Sequence, residues 1–284
     1  MIKSDLERRL QIKAYELRMD VIDMIYHGGS GHPGGSLSSA EIVTVLYYGI
    51  MKIKPQQPNW KQRDRFILSK GHCAPIIYAA LADKGYFAKD KLKTLRQLDS
   101  MLQGHPDLRK TPGIDMTSGS LGQGLSVGLG MALGARQLGA DYNVYVLLSD
   151  GELQEGMVWE AAMASSHYKA DNLVALVDNN NLQVDGPVNE VMNIEPLVDK
   201  WRSFGWETLV VDGHNISQLL TALNCKKSVM GKPVAIICKT TKGKGVSYME
   251  NVMEWHASPI SAELREKAWN ELTATIEQLR AQSI

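Results

Sequence analysis

The sequence is short of cysteine, of surplus charge and of long apolar runs, and each shortage removes a class of function. Its three cysteines, Cys73, Cys225 and Cys238, are scattered through 284 residues. They are too few and too far apart for a disulfide framework or a thiolate metal cluster, which fits a reducing compartment and makes the cytoplasm the expected location. Lysine plus arginine equals aspartate plus glutamate at 31 each. No basic excess is available to hold a nucleic acid or an anionic membrane, so neither is expected as a partner. No apolar run is long enough to span a bilayer. The opening MIKSDLERRLQIKAYELRMDVIDMIYH reads as an amphipathic helix interrupted by charges, not as a signal peptide. There is no low-complexity linker and no internal repeat, and the length admits one large α/β domain or two small ones.

What the chain does contain is alternation. Apolar, β-rich runs stand at 65–69, 143–149, 172–178, 206–212 and 233–240. Strands that are apolar throughout are buried on both faces, as in a parallel sheet covered by helices. Helical patterns lie between them at 38–51, 124–139, 156–169, 195–205 and 217–227, and the tail 259–284 reads as a polar amphipathic helix that caps the domain or links it to a neighbour. The expected fold is therefore a doubly wound α/β domain, one parallel sheet with helices on both faces. Three long glycine-rich connections interrupt it, at 27–36, 99–124 and 239–259. Loops of that length inside a compact domain are usually functional or disordered, and their histidines favour function.

The apolar strand NVYVLLS ends on Asp150-Gly151, and the next strand ends in VDNNNLQVDG. Neighbouring parallel strands thus deliver Asp150 and a set of asparagines to one sheet edge, where ligands of open α/β sheets bind. Alone, Asp150 would be a helix N-cap. Together, carboxylate, amide and backbone carbonyl oxygens are the ligands of Mg²⁺, a hard ion that also takes phosphate oxygens. Gly151 has no side chain to keep a pyrophosphate from the backbone N–H groups at the following helix start.

His32, His72, His105 and His214 each follow a glycine. Any one of them is explained by a turn, but His32, His72 and His105 share the loop end of the sheet, where a polyhydroxylated sugar needs neutral donors and acceptors. His214, His27 and His167 read as structural. The glycines of the 124–134 helix do not follow a strand as a dinucleotide fingerprint would, and they suit close helix packing instead. KGKG, 242–245, reads equally as a phosphate attractor or as a solvated loop.

The Asp-Gly and Asn-Asn pair resembles the diphosphate-binding signature of thiamine diphosphate enzymes, with Ser149 where glycine is usual. The motifs SGHPGG, LSKGHCAP, QGHPD, TSGSLGQG, SDGELQEG, DNNNLQVDG and EWHASP carry the resemblance further. They stand in the order of the diphosphate-binding, N-terminal domain of the transketolase family, across almost the whole chain. The resemblance implies thiamine diphosphate with Mg²⁺, for which Ca²⁺ or Mn²⁺ could substitute. The metal would be held by Asp150, Asn180 and the Leu182 carbonyl, with Asn180 selected by its spacing from Asp185-Gly186. Gly119, Ser120, Leu121 and Gly151 would line the cofactor. His72 and His256 would reach both cofactor and substrate, and His32 and His105 the ketose hydroxyls. These four histidines are the implied catalytic set, exchanging protons near neutrality. The family often has Pro in place of Ser120 and Gly in place of Ala257. Glu155 reads either as part of a network towards a partner active site or as a first-turn helix carboxylate.

In the family, the carboxylate that activates the cofactor pyrimidine belongs to a second domain. The expectation is a single diphosphate-binding domain over 1–284, with the pyrimidine domain on a separate C-terminal subunit in an α2β2 assembly acting on sugar phosphates; a truncated longer chain is the alternative. Two readings compete with it: another thiamine diphosphate enzyme, of deoxyxylulose-phosphate synthase or α-ketoacid dehydrogenase type, and a regulatory subunit without catalysis.

Overall fold

Strand pairing in the computed structural model, which describes residues 5–281, follows the alternation of the sequence. The ends of the two terminal helical patterns, 1–4 and 282–284, lie outside the described residues. Helices α1 (Asp5–Gly28), α2 (Pro33–Ser38) and α3 (Ala40–Val45) precede β1 (Arg65–Leu68), and α4 (Ala74–Asp83) and α5 (Gln123–Gln137) lead to β2 (Val144–Ser149). Then come α6 (Gly156–His167), β3 (Leu173–Asn179), a small hairpin of β4 (Leu182–Gln183) and β5 (Gly186–Pro187), α7 (Val188–Val191) and α8 (Leu197–Ser203). The chain closes with β6 (Glu207–Asp212), α9 (Ile216–Cys225), β7 (Val234–Lys239) and α10 (Ala262–Ala281).

The five longer strands form one parallel sheet in the order β1-β2-β3-β7-β6. Its central strands serve two cores at once. Tyr145, Leu147, Val174, Leu176, Val234 and Ile236 face α1, α3, α4 and α9. Their neighbours Val144, Val146, Leu148, Leu173, Ala175, Val177, Ala235 and Ile237 face α5, α6 and α8. Successive side chains point to opposite faces, so strands covered on both sides must be apolar at every position. Each buried Val, Leu or Ile contributes about 1.5–3 kcal/mol relative to exposure. On the second face, a Cβ at Gly128 would lie 2.6 Å from Val146, so α5 packs on β2 as closely as glycine allows.

Two local departures have physical causes. The helical pattern at 38–51 starts earlier, at Pro33, and is broken at Ser39 into α2 and α3, with a π turn over Leu46–Ile50. Pro33 suits a first helical turn, and the Ser36 and Ser39 hydroxyls donate back to the carbonyls of His32 and Gly35, bonding that competes with a regular helix. Helix α4, APIIYAALAD, is buried at every position before Asp83, so it shows no polar face from which its period could be read. At the far end of the chain, α10 packs along α1 through Ala268 and Leu272. Among the described residues no helix is long and apolar enough to cross a membrane.

Candidate active site

Register places the chemistry in one row. Ser149 on β2 lies beside Asp178 on β3, which lies beside Cys238 on β7. The residues just past these strand ends, Asp150, Asn180 and Thr240, therefore meet at the same sheet edge. A cavity of about 310 Å³ opens there, lined by Asp150 and Asn180 and also by Gly119, Leu121, Gly151 and Leu182.

Asp150 is buried. One carboxylate oxygen accepts the Gly151 N–H at 2.8 Å, so the capping role exists. The other accepts the Asn179 amide at 3.2 Å and the Asn181 backbone N–H. Burial first, and then the nearby Asp178 charge, push the Asp150 carboxyl up to about 6, against the pull of these donors. A buried carboxylate under that pressure is short of positive charge. Asn180 donates through its amide nitrogen to Asp178 at 3.1 Å, which orients its oxygen, and that oxygen accepts the Leu182 N–H at 3.0 Å. Carboxylate, amide and peptide oxygens thus sit together, a donor set that fits a hard divalent ion. Among the described residues no group of three or more His, Cys, Asp or Glu side chains is placed to hold a metal ion, so a metal here would depend on the amide and carbonyl oxygens beside Asp150.

Two buried lysines flank the row. The Lys70 ammonium donates to Asp178 at 2.5 Å and to the Gly35 carbonyl at 2.9 Å. Ser38 and Thr240 also donate to Asp178. Burial alone would push the Asp178 carboxyl up, but Lys70 together with the Ser38 and Thr240 hydroxyls outweighs it and holds the group below the usual carboxylate range. Lys242 donates to the Leu182 carbonyl at 2.9 Å and lies 2.9 Å from His256 Nδ1. It is only 2 % exposed, which removes the solvated-loop reading of KGKG. With the backbone at Gly151, the lysines give the cavity a floor that fits a pyrophosphate.

The histidines converge over this floor. The His72 and His256 rings stack with centroids 5.1 Å apart, and His32 lies 5.2 Å from His72, 5.5 Å from His256 and 6.4 Å from His105. The expectation that they titrate near neutrality is corrected. Burial, then the Arg96 charge, pushes His32 down to about 4, and burial, then Lys242, pushes His256 down to about 3. His72 and His105 are lowered by burial and by Lys70 and Arg96 respectively. At neutral pH all four are uncharged imidazoles, each with one donor and one acceptor. His214 is elsewhere, between Glu41 and the Thr241 N–H, in a structural role.

Gly119 and Leu121 line the cavity, while Ser120 between them is exposed and outside its lining. Glu155 lines the cavity but is exposed, at the N-cap position of α6. The carboxylate that organises the interior is Glu152, fully buried, accepting from the Ser69 hydroxyl, the Gly122 N–H at 2.8 Å and the Ser149 N–H at 3.1 Å. It ties the Gly119–Gly122 loop to the end of β2. Sequence reasoning passed over Glu152, Lys70 and Asp178, whose burial has no sequence period.

The sequence and the fold recur in known proteins. The profile of the family described as "Transketolase, thiamine diphosphate binding domain" matches residues 10–275. The chain belongs to the transketolase family. It is 42% identical over 274 residues to a subunit of the apulose-4-phosphate transketolase of Phocaeicola vulgatus, covering 96% of this chain and 97% of that one. The 6-deoxy-6-sulfo-D-fructose transketolase subunit SqwG of Clostridium sp. is 43% identical over 97% of this chain and 98% of its own length. Human transketolase is 40% identical over 97% of this chain, which spans 44% of the human protein. The crystal structure of Campylobacter jejuni transketolase superposes with a TM-score of 0.88 at 32% identity, over 95% of this chain and 45% of that one. The domain is thus the thiamine diphosphate-binding, N-terminal part of a transketolase, a transferase of two-carbon ketol units.

Proposed function

We propose that this chain works as the cofactor-binding half of a two-chain transketolase, moving a ketol unit from a ketose phosphate to an aldose phosphate in the cytoplasm. The observation that carries this reading is the convergence of Asp150, Asn180 and Leu182 with His72 and His256 around one cavity, with His32 packed against both of those rings and His105 beside His32. Two relatives of nearly this length are named as subunits, one for an apulose phosphate and one for a sulfonated sugar. Their names support a separate C-terminal chain that would bring the pyrimidine-binding domain and its catalytic Glu, in an α2β2 assembly. In this reading 1–284 is a single diphosphate-binding domain, and 259–284 caps it.

Asp150 and Asn180, through their side chains, and Leu182, through its carbonyl, would hold Mg²⁺, with Ca²⁺ or Mn²⁺ able to substitute. Gly151 takes the diphosphate on its backbone, with Gly119, Ser120, Leu121 and Glu155 alongside. Thiamine diphosphate supplies a nucleophilic carbon and an electron sink for cleaving the bond beside a ketose carbonyl. His32 and His105 orient the sugar hydroxyls. His72 and His256, stacked at the cavity wall, would reach both cofactor and substrate, where a neutral imidazole could accept a proton from one hydroxyl on one ring nitrogen while donating to another from the other. The test is ketol transfer from xylulose 5-phosphate to ribose 5-phosphate with thiamine diphosphate and Mg²⁺. Activity is expected only when this chain is mixed with its C-terminal partner; a cofactor-loaded complex inert towards all ketoses would defeat the reading.

A further inference from the structure

A second hollow, of about 440 Å³, opens beside the histidine cluster and is lined by Ser30, Arg96, Gln97, Gln103, Gly104 and His105. Every polar side chain in that lining carries a hydrogen-bond donor or, for His105, a neutral imidazole, and none is a carboxylate. Its one charge, Arg96, has no carboxylate partner among the described residues. The guanidinium is held only by neutral groups, Ser30 Oγ at 3.3 Å and His32 Nδ1 at 3.4 Å. The position is built. Arg96 sits at φ 61, a left-handed conformation uncommon for a residue with a side chain. Its N–H is tied to the Leu102 carbonyl at 2.9 Å. A Cβ at Gly104 would fall 3.1–3.2 Å from the guanidinium atoms, so glycine there is what lets Arg96 lie flat against the backbone.

An arginine fork held without a counter-charge, beside donors and at the rim of a site that handles sugars, fits a tetrahedral oxyanion. We infer that Arg96, seated on Gly104, forms with Ser30, Gln103 and His105 a subsite for the anionic terminus of a sugar, a phosphate monoester or a sulfonate. This rests on the transketolase reading for the sugar but not for the anion. It gives this chain its own part in choosing charged over uncharged substrates, in addition to whatever the partner supplies.

Two measurements separate the inference from that reading. Inorganic phosphate and sulfate are titrated into the full chain while the imidazole resonances of His32 and His105 are followed. Both should shift in the wild type, and the apparent Kd should rise about tenfold or more in Arg96→Gln and in Gly104→Ala, which displaces the guanidinium without removing it. No response in the wild type, or equal responses in all three, overturns the subsite. In the complex with the C-terminal chain, kcat/KM for ribose 5-phosphate relative to uncharged glycolaldehyde should fall about tenfold in Arg96→Gln. The same comparison between sulfonated and phosphorylated ketoses tells which anion the subsite prefers. Equal losses on charged and uncharged substrates also overturn it. A complex inert towards every sugar, with the Arg96-dependent phosphate response intact, defeats the transketolase reading and leaves the anion site standing.

Discussion

Lys70 and Asp178, 108 residues apart in sequence, form a fully buried ion pair at 2.5 Å beneath the candidate metal row. Asp178 is saturated by Lys70, Ser38, Thr240 and Asn180, and the last of these ties the pair to the expected metal ligand. Removing one member of a buried pair strands the other charge, so Lys70→Met should cost about 3–5 kcal/mol of stability. The double variant Lys70→Met with Asp178→Asn should recover a large part of it, because no lone charge remains. Urea unfolding of the singles and the double reads the coupling, and additive losses would show that the pair is not a unit.

Asp150 should decide cofactor retention. With the carboxylate replaced in Asp150→Ala, the oxygen set loses its only negative ligand, and Mg²⁺-dependent binding of thiamine diphosphate, followed by calorimetry, should be abolished. EDTA should release the cofactor from the wild type, and Ca²⁺ or Mn²⁺ should restore it. Undiminished binding in Asp150→Ala would leave the residue as the cap of the turn that follows β2, which its bond to the Gly151 N–H already makes it.

The histidine cluster makes a prediction about pH. His32 and His256 are held down at about 4 and about 3, whereas an unfolded histidine titrates near 6.5. Between those values the unfolded chain binds more protons than the folded one, so these groups make stability rise with pH up to about 6.5. Imidazole NMR on the full chain should find both rings neutral at pH 6. A midpoint for either ring above 6 would contradict the burial and the neighbouring Arg96 and Lys242 charges that set it. Arg96→Gln should raise the His32 midpoint, since it removes one of those charges.

Legibility of the sequence followed burial. The β2, β3 and β7 runs were plain because strands covered on both faces are apolar at every position, and Asp150 stood out by ending one of them. Asn180 could be singled out only by resemblance, since three asparagines stand in a row and the hairpin that follows selects among them. Lys70 was opaque, and Lys242 stood out only within KGKG, as a phosphate attractor or part of a solvated loop in equal measure. A lysine in sequence reads as solvated, and only the fold brings an Asp178 carboxylate or a Leu182 carbonyl to it. Arg96 was invisible for the same reason, because nothing local distinguishes an arginine held by neutral groups from one paired in solvent.

The loop that carries Lys242 and His256 is itself anchored through His214 to Glu41 on α3. Glu41, fully buried, accepts from the two terminal Arg18 nitrogens, Nη1 and Nη2, at 2.7 and 2.6 Å and from His214 Nδ1 at 2.9 Å. The His214 Nε2 accepts the Thr241 N–H at 2.8 Å, which places the ring proton on Nδ1 and fixes the tautomer. Burial would push the Glu41 carboxyl up, yet Arg18 and His214 outweigh it and hold the group at about 2. A folded carboxyl below its ordinary 4.5 contributes stability that is complete above 4.5 and lost as pH falls towards 2, on the order of 3 kcal/mol. Glu41→Gln should therefore unfold more readily at neutral pH and show a flatter fall in Tm between pH 4.5 and 2 than the wild type. His214→Ala leaves Glu41 with Arg18 but frees the Thr241 N–H. Its amide should exchange faster, with the protection of Lys242 and its neighbours falling too, and thiamine diphosphate affinity should weaken although His214 touches no part of the cavity. Unchanged exchange at Thr241 would show that the loop is held by Lys242 and the Gly243 N–H bond to Gly34 alone.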